Sequence, residues 1–305
     1  MYRTLVILRH TFTESVVQPI YTLLLGLGAA IVIIFGALPF FTLGEDTVMF
    51  KSVALDVILL LVLIATLFAT SKSIFEEIED RTMLTLMSKP VQKWQVLIGK
   101  YLGIICAALL ATAVLGTVLI LCTWWRVPGD NQLNPASLDE RVIRGIFELR
   151  MMHIAGLIPA LALMWLQISV LAAVSVAIST RVSLVVNLPV VIMLYIAGNL
   201  TRFLFPLTDE AGGPLAGRGP ITKGFAYIIS LLLPYLETFD LRHMTVYSRI
   251  ALAGTQFADD FQAVSLGAIW QYTGMAALYA IAYAAFALTL GMLLFQTREL
   301  GGAEG

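Results

Sequence analysis

The residues whose types and spacing offer chemistry gather between positions 74 and 103. They are the acidic run Glu76, Glu77, Glu79 and Asp80, then Arg81 and Thr82, then Leu84, Leu86 and Met87, then Lys89, Pro90, Lys93 and Trp94, and last Gly99-Lys100. Catalysis is not what they spell. His10, His153 and His243 fall on different segments without metal-ligand spacing, and no serine or cysteine has the setting of a nucleophile. Gly99-Lys100 is followed by Tyr101 and lacks the upstream glycine of a phosphate-binding loop, so the chain has no ATP site of its own and binds no cofactor or metal. What remains is the chemistry of a contact surface. A run of carboxylates followed by cations, with Leu84, Leu86 and Met87 among them, gives a docking partner both charge and apolar purchase.

Those residues need a helix, a corner and a helix to hold them. Ile74, Phe75 and Ile78 recur at helical spacing while Glu76, Glu77, Glu79 and Asp80 point elsewhere, so the preceding apolar helix is expected to run on past Ser71. Glu77 and Arg81 are four apart and can pair across one turn. The residue before a proline is pushed out of the helical region, which breaks the helix near Lys89 and lets Pro90 open the next one. Trp94 then sits at headgroup level as that helix enters the membrane.

The medium is lipid. A chain of 305 residues with 59% hydrophobic and 13% charged residues and a mean hydropathy of +0.89 is an integral membrane protein. A net charge of −1 without clustered Lys and Arg excludes a nucleic-acid partner. Cys106 and Cys122 lie about 24 Å apart along one helix and cannot pair. Spans need about 20 apolar residues, and six stretches qualify, near 20–43, 53–71, 96–124, 154–180, 182–205 and 268–295. The stretch from Phe225 to Leu236, interrupted by Pro234, is too short to cross and reads as re-entrant or interfacial, within an external element at 221–240.

Arg3 and Arg9, the cations between spans 2 and 3, Arg181 and Arg298 are dense on one side. The other side spreads its cations over two long segments, about Arg126 to His153 and Arg202 to Gly267, where they weigh less in orientation. Both termini and the segment at 72–95 are therefore expected in the cytosol, in a cell inner (plasma) membrane. Residues 1–18 suit an amphipathic helix in the interface, turned into span 1 by Pro19.

Polar residues inside the spans are few. Lys100 is expected to snorkel so that its ammonium reaches the headgroups, and Asp56 lies near the opposite end of span 2. Asn187, beside Pro189 in span 5, and Gln167 in span 4 either glue helices together or line a path. No ionisable residue falls at mid-span, where an ion-coupled carrier generally needs one.

The charged segment resembles the cytosolic coupling region of type 2 ATP-binding-cassette (ABC) membrane permeases. Members share an acidic run, a threonine, a leucine-rich stretch, a proline followed by a basic residue, and Gly-Lys at the start of span 3. Here these are Glu76 to Asp80, Thr82, Leu84 to Met87, Pro90 with Lys93, and Gly99-Lys100. Pro234, Glu237 and Phe239 are similar to a pattern on the external re-entrant element of many such permeases. Arg81 stands where many members have glycine, and Tyr235 where they have asparagine. The resemblance covers nearly the whole chain. It implies a dimer with a second permease copy or paralogue, two copies of a separate ABC ATPase subunit holding ATP and Mg, and an exporter. In that arrangement Glu76, Glu77, Glu79, Asp80, Arg81, Thr82, Leu86, Lys89, Pro90 and Lys93 receive the ATPase movement.

The expectation is thus an all-α membrane permease of six helices. A scaffold or assembly factor driven by the same ATPase is the alternative, and a secondary transporter a further one. The long external segments leave room for a periplasmic partner, and the apolar spans do not identify a substrate.

Overall fold

The computed structural model describes residues 2–38, 46–79, 92–131, 139–200, 233–251 and 263–296. Helix α1 (Tyr2–Val17) is separated by extended Gln18 from α2 (Pro19–Ala37), which starts on Pro19, where a fixed φ and a missing N–H suit the first helical position. Helix α3 (Asp46–Ser71) runs without interruption into a π-helical turn, Lys72–Glu76, and a last turn, Glu77–Glu79. Then come α4 (Lys93–Asp130), α5 (Glu140–Ser179) and α6 (Leu184–Asn199). A 3-10 turn, Leu236–Phe239, and the short α7 (Arg242–Thr245) precede α8 (Leu266–Gln296). Strands β1 (Ile250–Ala251) and β2 (Val264–Ser265) pair in parallel, a small departure from an all-α chain.

Among the described residues, five helices are long and apolar enough to cross a membrane, which makes the chain a multi-span membrane protein. The fifth expected span is represented by α6, whose 16 residues rise about 24 Å against a hydrocarbon core of about 30 Å. Residues 39–45, 80–91, 132–138, 201–232, 252–262 and 297–305 lie outside the described residues, and most of the expected external element falls there.

The long segment expected between spans 3 and 4, about Arg126 to His153, is mostly helix, because α4 continues to Asp130 and α5 begins at Glu140. Arg126 shows why charge did not end the helix. Its guanidinium, 7% exposed, donates to the carbonyls of Phe35, Gly36 and Leu38 at 3.2, 3.0 and 2.7 Å and to Asp130 at 2.9 Å. It thereby satisfies the last, otherwise orphaned carbonyls of α2 while its charge is neutralised beside it.

Helices α3 and α5 form the buried centre, whereas α2 and α8 keep one face outward. In lipid, close packing replaces the hydrophobic effect as the cohesive force, so small residues mark the contacts. The α8 stripe of Ala276, Ala280, Ala284, Ala287 and Gly291 is buried and falls on one helical face.

Candidate functional site

Three helices meet at one charged joint. Lys100, in the second turn of α4, is 3% exposed. Its Nζ lies 2.7 Å from Glu77 Oε1 and 3.1 Å from Ser73 Oγ, and it also donates to the Ser73 carbonyl. The expected route to the headgroups is therefore not taken, since the ammonium is spent on the end of α3. Partners explain the difference: a buried cation keeps its charge when a carboxylate and hydroxyl replace its water, and here both are supplied. The π turn supplies the aim. It accommodates one extra residue per turn, so every side chain after it is rotated by about 100° relative to a continuous α-helix. Glu77 is the first residue beyond that turn.

Helix α1 closes the joint. Glu14 adds its negative charge to the field around Lys100, and its Oε2 is buried with no hydrogen-bond partner among the described residues. His10 Nδ1 stands 3.9 Å from that same oxygen. The crossing is tight because α4 carries Gly99 and Gly103. A Cβ at Gly103 would lie 2.7 Å from the Leu8 carbonyl oxygen, and one at Gly99 would lie 2.9 Å from Ile7 Cγ2. Backbone thus rests on backbone, and α1 cannot shift without α4. The face α1 turns inward holds Thr11 and Ser15, while Tyr2, Leu5 and Val6 are exposed together with Arg3 and Arg9.

The rest of the charged segment is partly placed. Ile74 and Ile78 are buried, and Glu76 and Glu79 are exposed on the turns leading out of α3. Asp80, Arg81, Thr82, Leu84, Leu86, Met87, Lys89 and Pro90 lie outside the described residues. Helix α4 does not open on Pro90. Gln92, in extended conformation, is its cap: the Gln92 side chain accepts from the Gln95 N–H while the Gln95 side chain accepts from the Gln92 N–H. Lys93 Nζ stands 5.2 Å from the centroid of the Phe295 ring at the end of α8. Trp94 is 45% exposed, and its indole donates to the Gln92 side chain.

At the other end of the bundle the chain from 233 to 251 is sewn to the helices. Arg242 grips Asp56 of α3 with both Nη atoms, at 2.5 and 2.8 Å, and Asp240 Oδ1 stands 3.5 Å from its Nε. Burial works against the Arg242 charge, yet Asp56 by hydrogen bond and charge, with Asp240, leaves its pKa raised. Lys51, 2% exposed, donates to the Val246 carbonyl at 3.3 Å and lies 3.1 Å from His153 Nδ1. Tyr247 donates to Ser52 at 3.0 Å. Of the expected external residues, Pro234 and Phe239 are buried and Glu237 is half-buried, accepting from Tyr235 Oη at 3.2 Å. A cavity of about 230 Å³ lies beneath, lined among others by Asp56, Gln167, Tyr195, Asn199, Phe239 and Arg242.

Gln167, Asn187 and Pro189 are not brought together. Gln167 Nε2 donates to Asn199 in that cavity at 3.4 Å. Asn187 donates to Ser175 and Ser179 of α5 at 2.8 and 2.9 Å, and Pro189 is exposed. Glu14, Ser73, Lys51 and the Asp56–Arg242 pair escaped the sequence reading. Only Glu14 carried a signal, as an acidic residue beside the inward stripe of an interfacial helix.

Among the described residues no group of three or more His, Cys, Asp or Glu could hold a metal ion. No curated protein matches the chain. The family model for ABC-2 family transporter proteins matches residues 45–300, from the start of α3 through α4, α5, α6 and α7 to α8. With most of its length matched, the chain belongs to the ABC-2 family of transporter proteins, as a membrane permease that is not itself catalytic.

Proposed function

We propose that the chain is the membrane half of an ABC exporter, working as a dimer of permeases and driven by two copies of a separate ATPase subunit that holds the ATP and Mg. The ATPase docks on the segment that carries Glu76, Glu79, Asp80, Arg81, Thr82, Leu86, Lys89, Pro90 and Lys93. Both termini lie on that side, in the cytosol, and the chain crosses six times. The observation that carries the reading is the Lys100–Glu77–Ser73 joint, with α1 pressed on Gly99 and Gly103 beside it. Force applied to the end of α3 is passed to α4 through an ion pair and to α1 through backbone contact, so a push from outside the membrane moves three helices together.

The test is charge reversal outside the joint, by Asp80→Lys or Lys89→Glu, in the permease co-expressed with its ATPase and reconstituted in vesicles. Loss of ATPase association or of ATP-driven transport is expected. Unchanged association and transport in both variants would sink the reading. ATP turnover stimulated by a solute supports export, whereas turnover that responds only to a protein partner points to assembly.

A further inference from the structure

Helices α4, α5 and α8 leave between them an apolar groove of about 630 Å³, a size at which small-molecule sites are found (about 300–1,000 Å³). Alanines at 277, 280 and 284 make the α8 wall low, opposite Tyr101 and Ile105 of α4 and Trp165 of α5. Along α4 the lining runs from Trp94 to Ile105, about 16 Å of helix, or one leaflet's share of a hydrocarbon core about 30 Å thick. The groove opens outward where Trp94 and Ile281 are 45% and 66% exposed.

Its polar groups define what can enter. Tyr101 donates to the Ser169 carbonyl at 3.2 Å, Ser169 to the Leu166 carbonyl at 2.7 Å, and Thr289 to the Ala285 carbonyl at 2.7 Å. The indoles of Trp165 and Trp94 are likewise engaged, by the Ile105 carbonyl at 3.1 Å and by the Gln92 side chain. Every lining hydroxyl and indole N–H is thus already satisfied, and the groove asks for hydrocarbon. A helix of a second copy is about 10–12 Å across, so a 16 Å length of it has roughly two to three times the groove's volume and cannot fill its depth. A single flexible chain can.

One end of the groove is cationic. Lys93, next to Trp94, stands over Phe295 at 5.2 Å and so spans from α4 to α8, and Arg181 Nε donates to the Leu294 carbonyl at 3.1 Å. We propose that the groove binds one acyl chain of an anionic phospholipid from the leaflet on the Lys93 side, with the phosphate held at the Lys93 ammonium. The occupant lies along α4, the helix that carries Lys100, so bilayer composition bears on the joint. The proposal goes beyond export and requires only that Lys93 and Trp94 face one membrane surface.

Trp165 reports on it from inside. The full-length protein and its Trp165→Phe variant are reconstituted in phosphatidylcholine vesicles containing a fixed fraction of acyl-brominated phosphatidylglycerol or acyl-brominated phosphatidylcholine. The fluorescence difference between the two proteins isolates Trp165. Brominated phosphatidylglycerol should quench that difference at least twofold more than brominated phosphatidylcholine. Lys93→Gln should bring the two to the same level, and Ala284→Leu, which fills the groove, should abolish the quenching. A wild-type difference signal quenched equally by both lipids, or quenching that survives Ala284→Leu, overturns the proposal. So does an unquenched Trp165 with a change of oligomeric state in Ala284→Leu, which assigns the groove to a second copy.

Discussion

Two lysines are buried to nearly the same degree at opposite ends of the bundle, and they are provisioned differently. Lys100, 3% exposed, has a carboxylate at 2.7 Å and a serine that offers both its hydroxyl and its carbonyl. Lys51, 2% exposed, has a His153 ring nitrogen and the Val246 carbonyl, and the nearby full ion pair is left to Arg242 and Asp56, whose carboxylate is 55% exposed. The first arrangement joins two membrane helices and a helix extension by charge. The second ties an irregular stretch to a helix by weaker polar bonds and sets its charge pairing where water competes. Strength of coupling is thus concentrated at the joint, while the opposite end is a latch that opens at lower cost.

Four single substitutions, the first also paired with a second change, break or sharpen that contrast. Glu77→Gln leaves Lys100 buried without its counter-charge and should destabilise the protein by about 3–5 kcal/mol, read as a fall in the thermal unfolding midpoint in detergent. Adding Lys100→Met should recover most of that loss, and a double variant no better than the single one would refute a charge-based joint. Gly103→Leu drives a side chain into the α1 backbone at Leu8 and should cost about 1–3 kcal/mol. Faster thiol labelling of a cysteine placed at the buried Thr11 should accompany it. Lys51→Met, which removes a cation with no carboxylate partner among the described residues, should cost no more than about 1 kcal/mol; a loss equal to that of Glu77→Gln would erase the difference between the ends. Asp56→Asn should change stability by about 0–1 kcal/mol, and the effect should shrink as salt is raised from low to physiological ionic strength.

The sequence made the bundle legible where apolar runs are long. The expected span at 268–295 falls within α8 (Leu266–Gln296), and that at 20–43 shares its start with α2 (Pro19–Ala37). It failed where helices outrun the lipid. Arg126 and the stretch from Glu140 to His153 carry charge and fall outside the expected spans, although helix continues through both, with the Arg126 charge taken by tertiary partners. The run of α3 past Ser71 was visible in the spacing of Ile74 and Ile78, but the π turn was not, since no residue type marks it. Local geometry offered the headgroups to Lys100. The fold instead joins Lys100 to Glu77, a choice set by the α3–α4 packing that no single-sequence window contains, while Arg81, the local partner offered to Glu77, lies outside the described residues. Asp56 and Arg242 are further apart still in sequence, and only the folded chain introduces them.

Helix α1 carries apolar side chains on both of its faces. Thr11 and Ser15 are buried while Ile7, Phe12 and Val16 pack against the core, and Tyr2, Leu5 and Val6 face outward. During synthesis this ordering has a consequence, because α1 is complete at Val17, well before Gly99 and Gly103 exist to receive it. Its outward apolar side chains and Arg3 and Arg9 give it a resting place at the bilayer surface in the meantime. Helix α1 is therefore seated only once α4 has been made, and it waits on the bilayer surface while α2 and α3 are synthesised.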